Sequence, residues 1–303
     1  MFNAEKFLNR CLMSVFGALE KFGENAEVLI IDNGSTDRSR EMVKEIKAPK
    51  NVTVKELKCA TKGASAVRNF GAEKAQGRYI WFVDADDEIE KNSISLLIEK
   101  AEKSEADLVM MGAKRVYEDG HEDYLSAVKA GSPGYKSRFV RYGAGPWQFL
   151  IRREWWLSND FVFREGMIHE DMELISSLIL YTNKFASVDK PLYIYCQNGE
   201  SVLHKSKWDG HAFDIFSALS GLYERFEKAG AAEEYHDELE WFFIWNLLID
   251  SAKDFARFPE GKSGFKKSRE MLRKYFPNWR KNRFLKEKPL KLRLYVLKSY
   301  FTF

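Results

Sequence analysis

Cysteine is scarce in this 303-residue chain: Cys11, Cys59 and Cys196 are odd in number and far apart. That spacing offers neither a disulfide framework nor a metal-ligand pair, and it fits a reducing compartment. Long hydrophobic runs are missing as well. The longest, "WFFIW" followed by "LLI" within 241–249, is too short to span a bilayer. The opening "MFNAEKFLNRCL" has no basic stretch leading into an apolar one, so no signal peptide is expected there. No repeat, low-complexity segment, P-loop, GxGxxG fingerprint or Ser–His–Asp grouping is found. Repeat arrays, the common nucleotide-binding loops and serine-type hydrolysis are thereby set aside.

What is present describes a globular chain able to bury a core, with 45% hydrophobic and 31% charged residues. The net charge of +3 hides an asymmetry. Residues 253–303 hold 16 Lys and Arg against 4 Asp and Glu, and the rest of the chain is acidic. A basic tail on an acidic body suggests an anionic surface as partner, membrane or nucleic acid.

The first half alternates helix and strand patterns. Phe7, Leu8, Cys11, Leu12, Val15, Phe16 and Leu19 follow helical spacing. Strands are expected over "EVLIID" (27–32), "NVTVKEL" (51–57), residues 78–83 and "ADLVMMGAKRVY" (106–117), with helices after Ser35, over 63–77 and near 93–103. This order predicts an α/β domain with a mostly parallel, Rossmann-like sheet flanked by helices, and a working edge at the strands' C-terminal ends. A helix over 170–184, a strand and exit loop over 187–202, and a helical C-terminal extension follow. The expected division is 1–205 for the catalytic domain and 206–303 for the helical region with its basic tail.

The stretch "RYIWFVDADDEIEK" (78–91) runs from an apolar strand straight into acids. Carboxylates two apart at a strand end face one side, so Asp84 and Asp86 can share a centre. Hard oxygen ligands suit Mg²⁺ or Mn²⁺, commonly held by one or two carboxylates plus phosphates. The ordinary alternative is that such acids cap the next helix. Arg68, in "SAVRNFG", leads into this strand and could hold a diphosphate or pair with the acids, although a lone Arg is usually a surface residue. "IIDNGSTD" sets Asp32 and Asn33 at a strand end, where an amide suits a nucleobase edge and a plain Ser35-capped turn is the simpler reading. "GMIHEDMEL" puts Glu170 and Asp171 at a helix start, as a possible general base or as simple dipole compensation.

Taken in order, "NAEKFLNRCLMSV", "EVLIIDNGSTDRS", "GASAVRNFGAEKAQGRYIWFVDADDEI", "FREGMIHEDMEL" and "LYIYCQNGESV" resemble the family 2 glycosyltransferases with a GT-A fold, over about residues 2–205. The resemblance implies a metal-dependent, inverting transfer from a nucleotide-sugar, a UDP-sugar by preference, to a glycan or lipid-linked acceptor in surface polysaccharide synthesis. Asp84 and Asp86 match the DxD motif, with Asp86 the expected ligand of Mg²⁺ or Mn²⁺. Asp32, Asn33 and Arg68 would hold the nucleotide-sugar, Asp171 would be the base with Glu170 beside it, and Trp147 would flank the acceptor. Two departures stand out. The family's opening strand, ending in Pro-x-Tyr/Phe-Asn, has no match before "NAEKF", which leaves a slot in the expected sheet, and Asn33 replaces the commoner Asp.

In the tail, Leu290, Leu294, Leu297 and Phe301 share a helical face with Lys291 and Lys298 off it. Such a helix can lie on an anionic leaflet, or it can dock on the domain and leave its basic face in solvent. The resemblance favours a cytoplasmic protein, peripheral on the inner face of the membrane. Nucleic acid is not expected, because no recognition fold accompanies the charge. The rivals in function are a nucleotidyltransferase, whose Gly-rich basic loop is missing, and a non-catalytic sugar-nucleotide binder.

Overall fold

The computed structural model describes residues 1–197 and 210–301. Most of the expected exit loop and the division at 205 lie outside them. In chain order the elements are α1 (Leu8–Phe22), β1 (Ala26–Asp32), α2 (Ser39–Glu45), β2 (Val52–Lys58), α3 (Ala64–Lys74), β3 (Tyr79–Trp81), β4 (Glu88–Ile89) and α4 (Ser93–Ser104). They continue through β5 (Leu108–Val116), β6 (Glu122–Leu125), α5 (Tyr135–Tyr142), β7 (Phe149–Arg152), α6 (Arg153–Ser158), α7 (Glu170–Leu174) and β8 (Phe185–Cys196). The remainder is helical: α8 (Asp214–Lys228), α9 (His236–Trp245), α10 (Ser251–Arg257), α11 (Ser263–Tyr275), α12 (Arg283–Lys286) and α13 (Leu290–Phe301).

The chain forms two compact units that interleave along the sequence. The first is Met1–Pro133, Gly145–Gly166 and Thr182–His204, and the second is Gly134–Ala144, Met167–Tyr181 and Lys205–Phe303.

In the first unit, α1 forms where helical spacing predicts it. Its N-terminal turns bury Leu8, Cys11 and Leu12, Phe16 and Leu19 follow, and Gly23 ends it in the left-handed region (φ 79°). That face packs on Ile30, Val43 and Val52. Each such side chain removed from water contributes about 1.5–3 kcal/mol. β1 pairs in parallel with β2 from Ala26–Val52 to Asp32–Lys58, and these two form a sheet of their own. On the opposite edge of β1, the Met1 amine donates to the Ile31 carbonyl (2.6 Å) and the Met1 carbonyl accepts from Asn33 N–H (2.9 Å). Met1 thus hydrogen-bonds along this edge of β1 through its own backbone.

The larger sheet has the order β3-β7-β5-β8-β4, with β6 added to β5. It is mixed, which corrects the expectation of a mostly parallel sheet. Only β5 and β8 pair in parallel, whereas β7 runs antiparallel to β3 and β5, β4 to β8 and β6 to β5. The physical reason lies in the connections. Parallel neighbours need a long crossover, while the short turn at 117–121, bonded from Tyr117 N–H to the His121 carbonyl, permits only a hairpin. Sequence alternation shows element types and does not show which partner a late strand will find.

The second unit is a helical cluster. α9 passes through a π-helical turn (Asn246–Asp250) into α10, so the apolar "WFFIWNLLI" run lies in a buried helical stretch. Phe243, Leu247, Phe255, Phe265 and Phe276 are fully enclosed, with Phe243 and Phe276 meeting edge to face at 4.9 Å. The single helix expected over 170–184 is instead α7 followed by a 3₁₀ segment (Ile175–Leu180).

Candidate active site

The acids of "DADD" are brought together by a turn and not by strand alternation, because β3 ends at Trp81. Phe82 leaves the sheet to pack edge-on against Trp156 and Phe163 (5.8 and 5.7 Å). The chain then folds back so that Asp87 N–H reaches the Asp84 carbonyl (3.2 Å). Asp84 and Asp86 are half-buried at this turn, while Asp87 is fully enclosed.

Three elements hold the turn. From α3, an Arg68 guanidinium nitrogen lies 3.1 Å from Asp84 Oδ1. From α1, Arg10 donates to the Asp86 carbonyl (3.0 Å) and pairs with Glu88 (2.9 Å). From β8, the Tyr193 hydroxyl donates to Asp87 Oδ2 (2.7 Å) and accepts from Asp84 N–H (3.1 Å), and Cys196 N–H donates to Asp87 Oδ1 (2.8 Å). Arg10 and Tyr193 escaped the sequence reading. Both stand in stretches that carry the resemblance without a role assigned to them there, and both are brought to the turn from more than 70 residues away.

The electrostatics of the cluster are one-sided. Burial first, then the charge of Asp84 and more weakly that of Asp86, push the Asp87 carboxyl up to about 8 despite its hydrogen bonds. Burial and the same carboxylates raise the Cys11 thiol, which points at the Asp84 carbonyl (3.5 Å), to about 12. A region that resists further negative charge this strongly favours a cation. The donor set is hard carboxylate oxygen, and Asp84 and Asp86 keep partial exposure, so the residues fit Mg²⁺ or Mn²⁺. Among the described residues, the one group of three or more ligating His, Cys, Asp or Glu atoms within 4.8 Å of one another is His236, Asp237 and Glu240 in the second unit. The Asp84–Asp86 pair is therefore not a closed protein cage, which suits an ion completed by substrate phosphates.

Asp32 and Asn33 sit buried at the end of β1. Burial pushes the Asp32 carboxyl up, but hydrogen bonds from Ser35 and Gly34 and the charge of Arg40 outweigh it and hold it below the usual range. A cavity of about 260 Å³ opens beside it, lined by Met1, Ile30, Arg40, Lys44, Glu56, Leu57 and Lys58. Asn33 turns its amide inward, donating to the Cys59 and Thr61 carbonyls (3.2 and 2.7 Å) and accepting from Gly63 N–H (2.9 Å). It braces the loop that leads into α3 and Arg68. The simpler alternative, a helix capped by Ser35, is replaced by one that starts at Ser39. Trp147 is half-buried, stacked on Tyr193 and Tyr195 with centroids 4.5 and 5.3 Å away.

Glu170 and Asp171 open α7 in the second unit, Glu170 buried and Asp171 partly exposed. The residue before them, His169, has φ 68°. A left-handed non-glycine at a helix start stores backbone strain, as residues at working sites often do. Burial lowers the His169 pKa and favours the neutral ring.

Comparison with known proteins bears on the family and the fold. The model of the family described as "Glycosyl transferase family 2" matches residues 1–162. The glycosyltransferase EpsJ of Bacillus subtilis is 27% identical over 250 residues, covering 77% of this chain and 71% of EpsJ. The glycosyltransferase GlyG of Streptococcus pneumoniae is 25% identical over 236 residues, covering 72% of this chain and 76% of GlyG. In fold, residues 1–349 of TarS from S. aureus, solved with UDP-GlcNAc, align with a TM-score of 0.73 at 18% identity, over 99% of this chain and 87% of that one. The mannosyltransferase PcManGT of Pyrobaculum calidifontis, solved with GDP-Man and Mn²⁺, aligns with a TM-score of 0.50 at 12% identity, over 99% and 83%. The α/β architecture, the acid turn with its arginine and the family match over more than half of the sequence lead to one conclusion: the chain belongs to the family 2 glycosyltransferases.

Proposed function

We propose that this glycosyltransferase transfers a sugar from a UDP-sugar, with inversion and with a divalent metal, to a glycan or lipid-linked acceptor of a surface polysaccharide. The observation that carries the reading is the turn at Asp84–Asp87, where Arg68 pairs with Asp84 at 3.1 Å and Asp86 lies alongside. The preference for a UDP-sugar draws on TarS, which was solved with UDP-GlcNAc.

Asp84 and Asp86 would hold the ion, with Asp86 its principal ligand. When bound, Mg²⁺ or Mn²⁺ supplies charge that stabilises the departing nucleoside diphosphate. Arg68 adds a fixed guanidinium toward the same diphosphate and keeps Asp84 oriented. Asp32 lies toward the nucleotide's base, and Asn33 secures the loop at 59–63 that precedes Arg68. Asp171 takes the proton from the acceptor hydroxyl as that oxygen attacks the anomeric carbon, with Glu170 beside it. A single displacement of this kind needs no covalent enzyme intermediate. Trp147 offers an aromatic face to the acceptor. The division into a catalytic region up to 205 and a helical region after it belongs to this proposal, as does a place on the cytoplasmic side, where the few and widely spaced cysteines stay reduced.

Nucleoside diphosphate release, measured with Mn²⁺ or Mg²⁺ and a panel of nucleotide sugars, is the direct test. Release from a UDP-sugar that stops on chelation is expected. Binding without release would mark a sugar-nucleotide binder instead. Asp171→Asn should keep the parent melting temperature and lose about 100-fold or more in turnover, and near-parental turnover would remove Asp171 from the role of base.

A further inference from the structure

We infer that the outward face of α13 is a docking surface for an anionic lipid bilayer, a property independent of the transfer reaction. The helix is held in the second unit by one face only. Val296, Ser299 and Tyr300 are buried, with Tyr300 against Trp279 (5.0 Å) and its carbonyl accepting from Arg269 (3.2 Å). The apolar residues at positions 290, 294 and 301 repeat at helical spacing on the opposite face, with Leu297 half-buried at its border. Leu290, Leu294 and Phe301 are 64%, 56% and 63% exposed. Had the tail helix docked to bury its apolar stripe, this ridge would lie inside. It lies outside, because a second apolar set does the docking.

Charge complementarity identifies the occupant. Lys291 and Lys298 flank the ridge on one side and Arg293 on the other, and all three are exposed. No acidic residue occurs in α13. The basic surround continues nearby: Arg280 lies over the Phe301 ring (5.1 Å) and Lys288 over the Trp241 ring (4.9 Å). Trp241 in turn neighbours Trp245 (5.8 Å), itself 41% exposed. An apolar ridge bordered by cations, with an exposed Trp near its start, matches the layering of a bilayer interface, where acyl chains lie beneath anionic headgroups. An acidic protein partner would satisfy the cations but would leave such a ridge against a polar surface.

The test is co-sedimentation of the full chain with phosphatidylcholine vesicles, with and without phosphatidylglycerol. Binding is expected only with phosphatidylglycerol, and it should weaken as salt rises. Leu290→Glu with Leu294→Glu should reduce vesicle binding about tenfold or more, and Lys291→Glu with Lys298→Glu should do likewise. All four side chains point away from the unit, so both variants should melt with the parent. Equal sedimentation of parent and variants would overturn the proposal. So would concentration-dependent self-association in the ultracentrifuge without vesicle binding, since the ridge would then be an interface between copies of the chain.

Discussion

Tyr193 shows how much a single residue can contribute without a role that its sequence announces. Its hydroxyl joins Asp84 N–H to Asp87 Oδ2, and its ring supports Trp147. Tyr193→Phe keeps the ring and removes both hydrogen bonds inside a closed site, where an unmatched polar group costs about 1–3 kcal/mol. The variant should melt lower by that amount. Because the turn that carries Asp84 and Asp86 loosens, Mn²⁺ binding measured by calorimetry should weaken severalfold, while Tyr195→Phe should leave it unchanged. A purely structural tyrosine would lower the melting temperature and leave the Mn²⁺ isotherm alone.

Among the elements, the bulge in β8 opposite Gly112 of β5 is what aligns β8 with the acid turn. The parallel pairing slips on either side of Gly112, so that Ala113 comes opposite Tyr193 and Val116 opposite Cys196. A Cβ at Gly112 would meet the Lys190 carbonyl oxygen at 2.8 Å and the Leu125 carbonyl oxygen at 3.2 Å, both backbone atoms. Gly112→Ala therefore cannot be absorbed by a side-chain rotation. It should cost about 1–3 kcal/mol in denaturant unfolding, the usual range for overpacking, and it should weaken donor binding through displacement of Tyr193. Loss of stability with unchanged donor affinity would show that the register of β8 matters less to the site than its contacts suggest.

For the molecule as a whole, charge and burial are sorted by region. The acids proposed to hold the metal, Asp84 and Asp86, belong to the first unit, and the basic excess gathers in the last 51 residues of the second. α13 takes part in both roles of that tail, since one face closes a helical core and the other is free to meet a surface. Removing residues 290–301 would strip Val296 and Tyr300 from the core and uncover Trp279. Losses of about 2–5 kcal/mol accompany each large buried side chain deleted, so the truncated protein should unfold at markedly lower temperature in calorimetry. Failure to bind vesicles after such a deletion would carry little meaning, which is why substitutions on the exposed ridge are the better probe.

The sequence by itself determined most element types of the first half, the family, and the closeness along the chain of Arg68 to the acids it meets, Asp84 among them. These follow from local periodicity and from residues close together along the chain, where a strand-to-turn transition and the preceding helix are encoded in one stretch. Tertiary structure alone decided the mixed order of the sheet, the turn that presents the acids, the arrival of Arg10 and Tyr193 beside them, the inward commitment of the Asn33 amide and the outward direction of the Leu290–Phe301 ridge. Each of these depends on partners many residues distant. A helix with two apolar faces, or an amide with several carbonyls in reach, is settled only when the folded chain supplies one partner and not another, because burial and hydrogen bonding are properties of contacts and not of positions in a string.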